Sequence, residues 1–252
     1  KLDITDQESV ENYNWADIDV IINAAAYTNV DSAQTNEGRV SCWNVNATAV
    51  SNLARVCNMH DMTLVHISTD YVFDGKQQIH SETEPLSPIS SYGSSKAAGD
   101  IVASLTKKYY ILRTSWVIGS GNNFVKTMHA LAKRGVEPKV VNDQIGRLTF
   151  TKDLARGIKH LLDTGTSYGL YNLSNSGASV SWYDIAQKVY ELTDHTPLKV
   201  TGVTTSEYYA DKTGVAPRPL ESTLSLDKIE ATGFNPRDWE DALKEYMKEI
   251  ED

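Results

Sequence analysis

Short apolar runs alternate with longer amphipathic stretches along most of the chain. Residues 19–26 (DVIINAAA) are apolar and β-branched and end in small side chains, as a strand buried on both faces does. Residues 63–67 (TLVHI) and 109–113 (YYILR) repeat that pattern, and 169–173 (GLYNL) form a shorter version. Between them lie helical patterns. Residues 40–59 place Val45, Ala49, Leu53 and Val56 on one face of a single predicted helix. A capped helix is predicted from Thr5 or Asp6 through Val10, and another from Ser90 onward. Residues 1–6 themselves read as the end of a strand. Strands alternating with helices predict an α/β fold built on a doubly wound parallel sheet.

Beyond Gly119 the texture changes. Helices are predicted over 122–134, over 151–162 with Thr151 as cap, over 181–192 and over 239–250, with a strand and turn over 139–147. The predicted division is a sheet domain from residues 1–119 and about 150–175, with a smaller, partly helical lobe from about 120–149 and 176–252.

At 252 residues the chain is long enough for a sizeable core. Its net charge of −9, without a basic stripe, argues against a nucleic-acid surface and leaves anionic ligands to local cations. Cys42 and Cys57 lie inside a helical pattern in neither a disulfide framework nor a metal-binding spacing, which predicts a reducing cytoplasm. No apolar run approaches the roughly 20 residues that span a bilayer, and no signal peptide is recognisable.

The chemistry concentrates between Ser68 and Lys96. Thr69 falls at the carboxyl end of a predicted strand, where open α/β sheets bind ligands. Tyr92 and Lys96 are four apart on a predicted helix and share a face. A strand-end hydroxyl beside a phenol and an ammonium suits reduction of a carbonyl by hydride. The phenol supplies the proton, the ammonium is expected to lower its pKa, and the hydroxyl holds the carbonyl oxygen. A Tyr–Lys pair at this spacing is also an ordinary helix-surface contact; Thr69 and the flanking residues tip the balance. Ala24, Ala25 and Ala26 allow a ligand close to the backbone or equally allow tight helix–sheet packing. Asn46, on the 40–59 helix, is a packing residue unless other residues support a contact with a cofactor.

The Thr69, Tyr92, Lys96 set resembles that of the short-chain dehydrogenase/reductases. Further runs resemble their extended branch of dTDP-4-dehydrorhamnose reductases: 2–6 (LDITD), 23–31 (NAAAYTNVD), 68–75 (STDYVFDG), 92–96 (YGSSK), 112–117 (LRTSWV), 123–128 (NFVKTM), 141–144 (VNDQ), 181–183 (SWY) and 218–224 (RPLESTL). They span the chain in order. The resemblance implies a Rossmann-like dinucleotide-binding domain, NADPH or NADH as cofactor, and a dTDP-sugar as substrate. It implies Tyr92 as acid, Lys96 on the nicotinamide ribose and Thr69 on the 4-keto oxygen. Asp3, Ile4, Ala24, Ala25, Ala26 and Asn46 would meet the cofactor. Thr28, Val30, Tyr71 and Trp116 would line the sugar pocket, while Asn123 and Arg218 would hold the diphosphate. The resemblance allows a homodimer. Neither Gly-x-x-Gly-x-x-Gly nor Gly-x-Gly-x-x-Gly occurs near the start, so the dinucleotide-binding domain is expected to be incomplete at its N-terminal side and cofactor binding weak. Other readings are a related nucleotide-sugar reductase, epimerase or dehydratase, and a catalytically silent subunit resembling the regulatory β subunit of methionine adenosyltransferase.

Overall fold

The structure, a computed structural model, describes residues 2–193 and 198–251. Along the chain, α1 (Gln7–Glu11) precedes β1 (Val20–Asn23), and α2 (Asn36–Trp43), a π turn (Asn44–Thr48) and α3 (Ala49–Met59) lead to β2 (Thr63–Thr69). Next come α4 (Ser91–Ala103), β3 (Tyr109–Thr114), β4 (Val117–Ile118), α5 (Phe124–Lys133), β5 (Lys139–Val141), β6 (Ile145–Gly146) and β7 (Thr149–Phe150). Then follow α6 (Thr151–Thr164), β8 (Gly169–Asn172), β9 (Val180–Ser181), α7 (Trp182–Leu192), β10 (Thr201–Val203), α8 (Thr205–Tyr209), α9 (Asp227–Glu230) and α10 (Trp239–Glu251).

The main sheet runs β1-β2-β3-β8 with every pair parallel. Alternation along β2 sends Leu64 to a cluster with Val50, Leu53, Val56 and Ile111, and Val65 to one with Leu112, Leu161, Tyr171 and Leu173. Both faces are therefore covered, the condition for an all-parallel sheet. A third cluster joins Val125, Ile185, Val189 and Leu243 from α5, α7 and α10. Thr69 pairs with Thr114 at the carboxyl ends of β2 and β3.

Three sequence expectations need correction. Residues 2–4 form no strand: no described strand lies beside them to supply a ladder, and Ile4 instead offers its carbonyl to Asn52 Nδ2 at 3.0 Å. The 40–59 segment is helical without a gap but not one regular α-helix: a π turn at Asn44–Thr48 shifts its register, and its Val40 end is exposed while Ala49, Leu53 and Val56 are buried. Thr151 lies inside α6, whose cap position is Phe150 and carries no side-chain bond.

The π turn has a packing role. An added Cβ at Gly99 of α4 would stand 2.2 Å from the Asn46 carbonyl oxygen, so only glycine lets α4 lie this close to the turn. At the next residue, Asp100 Oδ2 accepts from Arg113 Nε at 3.1 Å with both side chains almost fully buried, tying α4 to β3. Gly99→Ala should therefore destabilise the protein by about 1–3 kcal/mol, the usual cost of overpacking against backbone. Urea unfolding of both proteins measures it; an unchanged midpoint would mean that the helix and turn can separate freely.

Candidate active site

Thr69 ends β2, and its hydroxyl caps the short turn Asp70–Val72 by accepting from Tyr71 N at 3.2 Å. Ser90 caps α4 in the same way, Oγ accepting from Gly93 N at 3.1 Å. The two caps face each other across a glycine: a Cβ on Gly93 would lie 2.2 Å from the Tyr71 carbonyl oxygen. That close approach seats Tyr92 beside Tyr71, ring edge to face with centroids 5.4 Å apart, and brings its phenol within the influence of the Thr69 hydroxyl. The expected trio is thus assembled at the carboxyl edge of the sheet.

Lys96 is buried one helical turn further. Its Nζ donates to the Ile67 carbonyl at 2.6 Å and stands 3.5 Å from His66 Nε2. Ala25 N donates to Asn23 Oδ1, which fixes the Asn23 amide so that Nδ2 donates to His66 Nδ1 at 3.1 Å. His66 is held neutral, its pKa pushed well down by burial and by the neighbouring Lys96 charge. Burial lowers Lys96 from 10.5 to about 8, against the pull of Asp100. Tyr92 does not follow the sequence expectation. Burial first, then the Asp70 carboxylate, push its phenol well above the ordinary tyrosine value, while the Thr69 hydrogen bond pulls the other way. The Lys96 ammonium points at Ile67 and His66 and is no source of the expected lowering. Tyr92 is accordingly held as an acid with its proton in place.

Beside the trio lies a cavity of about 300 Å³ lined by Tyr71, Trp116, Trp182, Tyr209, Gln144 and Arg218, among others. Trp116 stacks on Trp182 with centroids 3.9 Å apart and planes 20° from parallel. Its backbone has φ 48°, and a Cβ on Gly146 would come within 3.0 Å of its ring. A bulky residue in the left-handed region is strained, and strain of this kind concentrates at ligand sites. Trp182 lies within a run that the sequence singled out, yet its position against Trp116 comes from α7 folding back on α5, which no local pattern encodes. Tyr208 and Tyr209 of α8 also line the cavity and carry no local sequence signal; Gln144 lies in the 141–144 run but was given no site role.

Other predicted site residues are placed differently. Arg218 Nη2 donates to both carboxylate oxygens of Asp31 at 2.9 Å, and its guanidinium lies over the Tyr209 ring at 5.0 Å, so this cation already has an anion. Asn123 caps α5 through Lys126 N, and its Nδ2 donates to Gly119 O, Gly121 O and Tyr246 Oη, which commits the amide to structure. Asn46 is buried, bonding Tyr27 N and O and Ser95 Oγ; it packs the turn under the site. Thr28 is exposed and Val30 half-buried, and neither lines the cavity.

For a nicotinamide cofactor the residues present fit. Ala24 and Ala25 are exposed just past β1, Asp3 is exposed, and the buried Lys96 reaches the Ala25 backbone through His66 and Asn23. Among the described residues no glycine-rich strand–turn–helix adjoins those alanines.

The sequence model of a family described as the RmlD substrate binding domain matches residues 1–251. The spore coat polysaccharide biosynthesis protein SpsK of Bacillus subtilis is 40% identical over 252 residues, covering 98% of this chain and 86% of that protein. A dTDP-4-dehydrorhamnose reductase of Aggregatibacter actinomycetemcomitans is 40% identical over 264 residues, covering 97% of this chain and 86% of the relative. Among solved structures, the dTDP-4-dehydrorhamnose reductase of Bacillus anthracis in complex with NADP superposes with a TM-score of 0.87 at 38% identity, over 98% of this chain and 87% of that one.

The buried ammonium carries a stability consequence. The unfolded chain keeps the Lys96 proton up to about pH 10.5, while the folded protein releases it near 8, so this group makes stability rise with pH between those values. Below about 8 its destabilising contribution is whole. Lys96→Met should then raise stability at pH 7 by roughly 1–4 kcal/mol, the range seen when buried charges are replaced by apolar side chains. Denaturant titrations at pH 7 and pH 10 check this; a gain that does not shrink at the higher pH would contradict it.

Proposed function

The chain belongs to the RmlD substrate binding domain family, and from that membership we propose that it reduces dTDP-4-dehydro-β-L-rhamnose to dTDP-β-L-rhamnose, the last step of dTDP-rhamnose synthesis. The observation that carries the reading is the convergence of Thr69, Tyr92 and Lys96 at the sheet edge, beside an aromatic cavity that ends in an arginine. NADPH supplies the hydride when bound; NADP is named in the solved relative.

The chain's own residues do the rest. Tyr92, kept protonated by burial, gives its phenolic proton to the 4-oxygen as carbon 4 accepts hydride. Thr69 holds that oxygen at the strand end. Lys96 orients the nicotinamide ribose over the shelf of Ala24, Ala25 and Ala26, with Asp3 and Ile4 toward the adenosine. The stacked Trp116 offers a flat apolar face to the deoxy-sugar, with Tyr71 beside it. Arg218 takes the diphosphate by exchanging Asp31 for it, a swap of one charge-assisted pair for another. We place the sheet domain at residues 1–119 and about 150–175 and the substrate lobe in the remainder. No described helix is long and apolar enough to cross a membrane, and we place the enzyme in the cytoplasm.

Tyr92→Phe should fold as the parent does and lose roughly 10²–10⁴-fold in turnover, the usual worth of general acid catalysis. NADPH oxidation with the dTDP-keto-sugar measures it, and a near-parental rate would remove Tyr92 from the reaction. Arg218→Ala should weaken binding of dTDP, whereas Trp116→Ala should weaken dTDP-rhamnose more than dTDP. Calorimetric titration of both ligands separates the two; equal losses for both mutants would show that base, phosphate and sugar contacts are not divided in this way.

A further inference from the structure

Asp70 follows Thr69 and is 2% exposed, yet the reaction outlined above leaves it without a task. Thr69 Oγ1 donates to Asp70 Oδ1 at 3.0 Å. Thr69 Oγ1 also accepts from Tyr71 N at 3.2 Å. A hydroxyl has one proton and two lone pairs. With its only proton committed to Asp70, Thr69 has none to offer a ligand carbonyl.

We propose that Asp70 is a positioning residue whose protonation turns the Thr69 hydroxyl onto the substrate carbonyl. A protonated Asp70 donates into Thr69 Oγ1. Thr69 then accepts from Tyr71 N and Asp70 and has its own proton free for the carbonyl oxygen. No bond to carbon changes in this step; one proton is taken up from solvent, and the hydrogen bond between Thr69 and Asp70 reverses.

The surroundings suit a carboxyl that titrates in the working range. Burial pushes Asp70 up to about 6, against the Ser222 and Thr69 hydroxyls and the more distant His80. The titratable groups that face it are His80 from the loop before α4, Tyr92 from α4 and the adjacent Tyr71; Ser222 from the C-terminal part contributes only a hydroxyl. His80 is itself tied to Glu84 Oε2 at 2.8 Å and to the Glu221 carbonyl at 3.1 Å, so it presents no free acceptor to Asp70.

The inference rests on the reductase reading, and its test separates the two. In the parent, kcat/KM for ketone reduction should fall as pH rises past about 6, approaching tenfold per pH unit. Asp70→Asn, which cannot titrate, should lose that break. A break that persists in Asp70→Asn would overturn the proposal. Infrared difference spectra need no substrate: the parent should show a buried carboxylic-acid carbonyl band that titrates with the break, is absent in Asp70→Asn and shifts in Thr69→Val. A band unmoved by Thr69→Val would also overturn it, because the carboxyl would then not act through Thr69. No ketone reduction by the parent would instead count against the reductase reading, leaving the infrared result to decide the Asp70–Thr69 link.

Discussion

Helix α4 must lie almost on the backbone of its neighbours, and the site exists only because it can. Gly93 and Gly99 remove the two side-chain carbons that would collide with the Tyr71 and Asn46 carbonyls. The helix they seat carries Tyr92 and Lys96 to the end of β2 at a separation set by the helical repeat. Asp100 and Arg113 hold the far end of the contact with a buried ion pair. Burial pushes the Asp100 pKa up while Arg113 pulls it down. Losing either partner would leave a charge stranded in the core, so the pair fixes the position of α4 more than it adds to stability.

The sheet was legible because its signal is local. β2 and β3 are mostly apolar and buried along their length, as central parallel strands covered on both faces are. The π turn was not legible: residues 40–59 keep an amphipathic pattern across it, and one inserted residue changes the register without changing composition. Residues 2–4 failed for the opposite reason. A strand needs a partner, and nothing within that segment reports whether one is present.

The site divides along the same line. Thr69, Tyr92 and Lys96 lie within one stretch of chain, and helical spacing alone joins two of them. Trp182, Tyr209 and the Asp31 partner of Arg218 come from elements far apart in sequence, and their meeting is a product of the fold. The charge states were the least legible. Helical proximity suggested that Lys96 lowers the Tyr92 pKa, but depth of burial and the direction of the Lys96 side chain decide the outcome, and neither can be read from spacing.

The Arg218–Asp31 pair has a bearing on selectivity. In a chain of net charge −9, the one arginine lining the cavity is already neutralised by a bidentate carboxylate. Lys139 also lines the cavity, but a phosphate that takes Arg218 from Asp31 must break two charge-assisted bonds for a similar pair. A ligand that also stacks on the Trp116–Trp182 face brings a second source of binding energy to that exchange. The exchange at Arg218 thus favours molecules that join a ring to their phosphates over phosphate alone.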